Sequence, residues 1–346
     1  MLKSTQKIAV YMEGHIDSDY GKMGRGVVRY LKNPVVGVID KKLAGKQMRE
    51  FMDTTKEVPI LATLKEAILK GAEVLVLGIA PSGGKIPESW NPVIEEALDN
   101  GLSIVNGLHD VLNERWSQHI KNPLKQWIWD VRIPLFTPEI ATGKASQLQN
   151  KRVLFIGTDM AVGKMTAGLE LYSWLLEHKK KVGFVATGQI GITIVGKGIP
   201  LDAFKVDHAC GAVEQVVLDQ ADKDIILIEG QGSLLHPGST ATLPLMRGSC
   251  PTHLILCLRA EIKTLRSPEH IKIPDLNDFI TLNESLASVF GTFPRSRVIG
   301  IAANTSMLSE KDAKAYLSKT SKDTGLVTTD PIRYGIAPIG EQILMS

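Results

Sequence analysis

The chain is short of cysteine, of net charge and of long apolar runs, and each shortage removes a class of function. Its 346 residues include three cysteines, Cys210, Cys250 and Cys257, with no CxxC spacing. Neither a disulfide framework nor a cysteine zinc site can be built from them, so buried thiols in a reducing cytoplasm are expected. A formal net charge of +3 is too small to mark a nucleic-acid or membrane-surface partner. No apolar stretch approaches the roughly 20 residues of a membrane span. The first residues run straight into a β-like segment with Glu13 soon after it, which is not the layout of a secretory leader. Familiar catalytic signatures are missing too: there is no nucleophile elbow, no HExxH, no calcium-binding loop and no internal repeat. A cytoplasmic protein acting on small molecules, without nucleic-acid or membrane partners and assembled as a homo-oligomer, is the expectation.

What is present begins at residue 157. A β-like run, residues 152–156, leads into the segment GTDMAVGKMT and then into an amphipathic helical pattern over residues 164–178. A strand that turns through a glycine loop ending in Gly-Lys and enters a helix is the layout of a phosphate-binding P-loop. Backbone N–H groups at a helix start lack intrahelical partners and carry the positive end of the helix dipole. Wrapped around an anion they bind phosphate oxygens, and the lysine adds a full charge. The expected phosphate-binding residues are Gly157, Thr158, Asp159, Met160, Ala161, Val162, Gly163, Lys164, Met165 and Thr166. Two details depart from the common pattern. Five residues separate Gly157 from Gly163, and Met165 stands where a hydroxyl normally holds magnesium, with Thr166 one place later.

The organisation is α/β throughout. Residues 7–12, 35–40, 74–79 and 102–106 read as strands alternating with helical patterns at 21–31, 63–70 and 92–100, which predicts a Rossmann-like doubly wound sheet. Its dinucleotide fingerprint is absent; the glycine cluster at residues 21–26 reads first as a glycine-tolerant helix start with solvated basic residues, the alternative being an anion cradle with Lys22 or Arg25. A boundary is expected near residue 150, giving a Rossmann-like N-terminal domain over 1–150 and a P-loop nucleotide-binding domain over 151–346. In the second half, strands are expected at 181–186, 224–228, 253–258 and 297–302, helices at 211–220 and 310–321, and a last extended segment at 326–328. Residues 187–191 read as a loop. The fold class is therefore two doubly wound domains, N-terminal Rossmann-like and C-terminal P-loop NTPase-like.

Other candidates follow from position. An apolar strand delivers Glu229 at its carboxyl end, followed by glycines, which is where a P-loop fold places a metal-holding or water-orienting carboxylate. Thr166 and Glu229 are thus the metal candidates if magnesium is used. Thr187 and Gln189 lie in the loop after the next strand as phosphate- or substrate-facing groups. Asn304 ends a strand with an amide able to donate to and accept from a purine edge, the alternative being a turn. His236 is a general-base candidate by its ordinary pKa. Arg132, Arg247 and Arg333 are candidates for clamping a carboxylate.

The pattern GTD-x-x-VGK, with an apolar strand ending in EG-x-G, resembles the dethiobiotin synthetase branch of P-loop proteins, which makes ATP a natural ligand. That branch carries an acid where this chain has Ala161, and a lysine where it has Thr187-Gly188-Gln189, so the same ring closure is not expected. A closer resemblance covers nearly the whole chain. GTDMAVGKMT, ATGQIGI, EGQGSLLHP (residues 229–237) and TDPIR (residues 329–333), behind a Rossmann-like domain, look like a two-domain P-loop family long catalogued only as a domain of unknown function. Its members include D-glutamate N-acetyltransferases. The resemblance implies acetyl transfer from acetyl-CoA to the amino group of a small acidic amino acid. Lys164 and the loop amides would then take the pyrophosphate and Asn304 the adenine. Glu229 or His236 would take the ammonium proton, with Lys164, Glu229 and His236 as the catalytic set. Arg132 or Arg333 would hold the carboxylates, beside Thr187 and Gln189. An ATP- and magnesium-dependent kinase or ligase acting on a small carboxylate is the alternative, and a nucleotide-sensing protein without catalysis is a third.

Overall fold

A computed structural model describes residues 2–346. Short apolar strands set the frame of the N-terminal part: Ile8–Tyr11 (β1), Val35–Ile39 (β2), Ile60–Leu61 (β3), Val74–Leu77 (β4), Ser103–Asn106 (β5) and Ile128–Asp130 (β6). They form one parallel sheet in the order β3-β2-β1-β4-β5-β6. Every residue of β1, β4 and β5 is buried, as required of parallel strands covered on both faces. The helices between them are Lys22–Tyr30 (α1), Leu64–Leu69 (α2), Asn91–Asp99 (α3) and Leu112–Trp116 (α4).

The chain then builds a second sheet. Lys151–Gly157 (β7), the helix Lys164–Glu177 (α5) and Val182–Val185 (β8) come first, followed by Gln189–Val195 (α6), Val206–Leu218 (α7), Ile225–Ile228 (β9), Thr242–Ser249 (α8) and His253–Arg259 (β10). Leu276–Ser288 (α9), Arg297–Asn304 (β11), Glu310–Thr324 (α10), Thr328–Thr329 (β12) and Ala337–Met345 (α11) complete it. The strands are all parallel, in the order β12-β11-β10-β7-β9-β8. Local chemistry sets the ends of the elements. Ser309 caps α10 by accepting from the Asp312 amide at 3.2 Å, and Gly325 in the left-handed region stops it. Among the described residues no helix is long and apolar enough to cross a membrane.

The chain divides into two compact units. One comprises the residues up to Leu135 together with Gln189–Ala203; the other comprises Phe136–Gly188 and Phe204–Ser346. Residues 189–203 thus count with the first unit although they follow β8 in sequence. Two local readings change accordingly. Residues 187–191 were expected as a loop, yet Gln189 opens α6, because Gly191, Ile192 and Thr193 are buried and the helix packs on α1; burial outweighs the poor helix propensity of a β-branched segment. The helix expected at 211–220 starts earlier, at Val206, with Ala209, Ala212, Val213 and Val217 forming its buried face.

Strand order reverses between β1 and β4 in the first sheet, the place where open α/β sheets take ligands. Here that crevice is packed. Met12 is fully buried, the Gly24 amide donates to the Gly78 carbonyl at 2.8 Å, and Arg25 Nη1 donates to Ile16 O at 2.6 Å. The glycine cluster at 21–26 serves close packing of α1 on the sheet. A Cβ on Gly78 would stand 2.6 Å from Val10 Cγ1 and 2.9 Å from the Gly24 Cα. Gly78→Ala is expected to destabilise the chain by about 1–3 kcal/mol, the usual range for overpacking, read as a lowered midpoint in chemical denaturation; an unchanged midpoint would refute the packing argument.

Candidate functional site

In the second unit the chain turns from β7 toward β9 and β8 on one side and later to β10, β11 and β12 on the other, so the crevice beside β7 is the switch point of that sheet. The loop between β7 and α5 fills its rim. The Thr158 amide donates to Cys257 O at 3.1 Å, tying the loop to β10. Asp159 shapes the loop from within: Oδ1 accepts from the Met160 amide at 2.6 Å and Oδ2 from the Arg266 amide at 2.9 Å. Ala161 and Gly163 both sit at positive φ, 56° and 105°. Gly163 occupies the N-cap of α5 without any side-chain cap, which leaves the first-turn amides for an anion. Met160 is exposed, and Met165 and Thr166 are half-buried.

Lys164 points back into this loop. It is 6% exposed, and its Nζ donates to Asp159 O at 2.8 Å. Burial lowers its pKa to about 8, against the pull of the carboxylates of Asp159 and Glu229. The Cys257 thiol, itself pushed up to about 12 by burial, stays neutral.

Glu229 follows β9, the neighbour of β7, and burial raises its pKa to about 7. The amides of Thr187 and Gly188 donate to its Oε2 at 2.8 and 3.2 Å and pull the other way. Thr187 spends its hydroxyl as well, donating to Glu229 O at 2.9 Å, and Gln231 Nε2 donates to Thr187 O. The next residue must be glycine: a Cβ on Gly230 would overlap the Phe155 carbonyl oxygen and stand 3.0 Å from Lys164 Cδ. The lysine and the carboxylate therefore share one buried neighbourhood at the carboxyl edge of the sheet.

The remaining expected residues lie elsewhere or are engaged. The Gly238 amide donates to His236 Nδ1 at 3.0 Å, so Nε2 carries the proton and donates to Ser267 O at 2.6 Å. Both ring nitrogens are occupied. Asn304 Oδ1 accepts from the Ser306 amide at 3.0 Å, which makes it a turn residue. Arg333 Nη1 donates to Thr305 O at 3.1 Å, within a loop fixed by buried Asp330, which accepts from the Thr305 amide and hydroxyl at 2.8 and 2.6 Å. Arg247 Nη1 donates to Leu286 O at 3.1 Å and its guanidinium lies over Phe293. Arg132 and Gln189 belong to the first unit. Arg259 was not anticipated. It ends β10, and its Nη2 donates to Ala161 O at 3.3 Å, bracing the loop at its positive-φ residue. The signal was available, since HLILCLR is an apolar strand delivering a charge at its carboxyl end, the same pattern that marks Glu229. Among the described residues no group of three or more His, Cys, Asp or Glu is arranged to hold a metal.

Comparison with known proteins agrees with the two-sheet architecture. Residues 139–340 match the model of a domain of unknown function described as the DUF1611 P-loop domain, and residues 41–134 match the DUF1611 Rossmann-like domain. A D-glutamate N-acetyltransferase of Pseudoalteromonas is 37% identical over 278 residues, 79% of this chain and 82% of that protein. Another, from Tritonibacter scottomollicae, is 36% identical over 275 residues, 79% and 81% of the two chains. The crystal structure of a DUF1611 family protein from Anabaena variabilis is 41% identical, covers 99% of this chain and 100% of its own, and superposes with a TM-score of 0.94.

The Glu229 environment sets a pH dependence of stability. Its pKa is about 7 in the fold against an ordinary value of 4.5, so between those values the folded state holds a proton that the unfolded chain has lost. This contribution is fully present below the unfolded value and disappears as pH rises through about 7. Relative to Glu229→Gln, the parent protein should lose stability between pH 5 and 7.5, with a limiting slope of about 1.4 kcal/mol per pH unit. Parallel pH profiles for the two proteins in denaturant melts would contradict this electrostatic reading.

Proposed function

The chain belongs to the DUF1611 family, and on that footing we propose that it transfers an acetyl group from acetyl-CoA to the amino group of D-glutamate or a similar acidic amino acid. The observation that carries the reading is the 36–37% identity to two D-glutamate N-acetyltransferases. The P-loop geometry supports it. Bound acetyl-CoA would supply the acetyl group as an activated thioester, together with a pyrophosphate and an adenine. Lys164 and the uncapped first-turn amides of α5 are the donors a pyrophosphate requires. Asn304, whose oxygen is used in its turn, would offer its amide nitrogen to the adenine.

The chemistry asked of the protein is proton removal, because an amino acid is an ammonium ion at neutral pH and cannot attack until it is deprotonated. Glu229 suits that task. Its pKa lies near 7, two amides fix one carboxylate oxygen, and Oε1 makes no hydrogen bond among the described residues. His236 is the weaker candidate because accepting a proton would require breaking its contact with Gly238 or Ser267. An ATP- and magnesium-dependent reaction is the second reading, favoured by the position of Glu229 at the end of β9. In that case Thr166 and Glu229 would hold the ion.

Titration calorimetry with acetyl-CoA, and separately with ATP with and without magnesium, distinguishes the two. Acetyl-CoA should bind, and Lys164→Ala should weaken it about 10- to 100-fold, the loss of a charge-assisted contact. Release of free CoA thiol should depend on D-glutamate. Glu229→Gln should cut kcat about 100-fold or more with little change in acetyl-CoA affinity. Magnesium-dependent ATP binding without an acetyl-CoA signal would move the assignment to ATP chemistry.

A further inference from the structure

At the carboxyl edge of the first sheet two basic side chains converge on one carboxylate. Arg132, two residues beyond β6, donates through Nε to Gly107 O at 2.8 Å and pairs through Nη1 with Asp202 Oδ2. His109, beyond β5, brings Nε2 to 4.0 Å from the same oxygen. His109 is itself held: its amide donates to Gly84 O at 2.8 Å, and its ring occupies the space a side chain on Gly84 would need. Asp202 arrives on the single helical turn Leu201–Ala203, part of the segment that joins this unit after β8 and anchored there by buried Leu201.

Exposure separates the partners. The Arg132 side chain is 16% exposed, whereas those of Asp202 and His109 are 43% and 52% exposed. The guanidinium is set into the fold and the carboxylate lies over it. With Nε committed to the backbone, the guanidinium is oriented to meet one planar acceptor along its Nη edge. An ion pair with one partner this exposed adds little to stability. A held arginine at the edge where α/β sheets take their ligands is better explained by an acid it receives.

We infer that Arg132 and His109 form a carboxylate-binding site in the first unit, and that Asp202 fills the position of the ligand's carboxylate when no ligand is bound. The ligand class is a small organic acid. The site is read from the first unit alone; only the choice of D-glutamate as one probe rests on the proposed activity. Because Asp202 competes, the apparent affinity of an added acid is reduced by the fraction of time the internal pair is closed.

The test is calorimetric binding of D-glutamate and of glutarate, which lacks the amino group, to the full chain with no acyl donor present. At least one probe should bind the parent protein. Asp202→Asn, which keeps the shape and removes the charge, should tighten that binding about threefold to tenfold. Arg132→Gln should weaken it about tenfold or more. If Arg132→Gln does not fold, Arg132→Lys keeps the charge without the planar fork and should still weaken binding severalfold. Binding that is absent throughout, indifferent to the arginine variants, or weakened by Asp202→Asn overturns the inference. The two readings fail separately. Carboxylate binding of this pattern stands even without acetyl transfer. Acetyl transfer together with probe binding that ignores Arg132→Gln and Asp202→Asn removes this site and leaves the activity.

Discussion

Lys164 and Glu229 share a neighbourhood in which neither charge is well solvated, and the second unit is arranged around that constraint. Burial pushes the lysine down to about 8 and the glutamate up to about 7, so each lies within reach of its neutral form. Three features keep the arrangement from collapsing into an unpaired buried charge. The Asp159 carbonyl accepts from the ammonium, the Thr187 and Gly188 amides donate to the carboxylate, and the two charges attract each other. Each needs its own piece of backbone in register: β9 beside β7, Gly230 against Phe155, and the end of β8 turned so that two successive amides meet one oxygen.

Two parallel sheets in one chain each have a switch point, and the sequence uses them differently. In the first, Met12 and the Gly24–Gly78 approach fill the crevice, so the usual nucleotide position has become core. A polar group lies instead at the ends of β5 and β6, where Asn106 and Asp130 bond to each other at 2.8 Å and Arg132 and His109 flank Asp202. In the second, the helix after the loop starts at Gly163 with no side-chain cap, so its first-turn amides are left for an anion. Topology gives both sheets an edge at which to bind; residue size at that edge decides whether it is used there.

Much of this was legible from residue order. The strands stood out because Val74–Leu77 and Ile225–Ile228 are unbroken apolar runs bounded by polar or glycine residues, and the phosphate loop because glycine, lysine and helix follow a strand in one span. What was hidden depends on who meets whom. Nothing in Gln189-Ile-Gly-Ile-Thr-Ile-Val announces a helix, because its stability comes from α1, distant in sequence. Thr187 read as a ligand-facing group from its place in the loop after a strand, but the fold buries it and turns both of its donors onto Glu229. His236 was a candidate on residue type alone; only the positions of Gly238 and Ser267 show that its nitrogens are taken.

The phosphate loop of this chain is not self-supporting, and that explains residues far from it. Ala161 stands at a positive φ that a side chain adopts only at a cost of order 1 kcal/mol, and the loop carries one residue more than the common pattern. Compensation comes from β10 and the segment after it. Arg259 holds the Ala161 carbonyl and the Arg266 amide holds Asp159. That segment is itself a folded hairpin: the Leu265 amide donates to Ile271 O at 2.9 Å, the Ile273 amide to Lys263 O at 2.8 Å, and Leu265 is fully buried. Its Ser267 carbonyl also receives His236 from the loop after β9. One strap thus grips the phosphate loop by a carboxylate and the Glu229 loop by an imidazole. The histidine thereby ties the loop after β9 to the strap that also holds the phosphate loop.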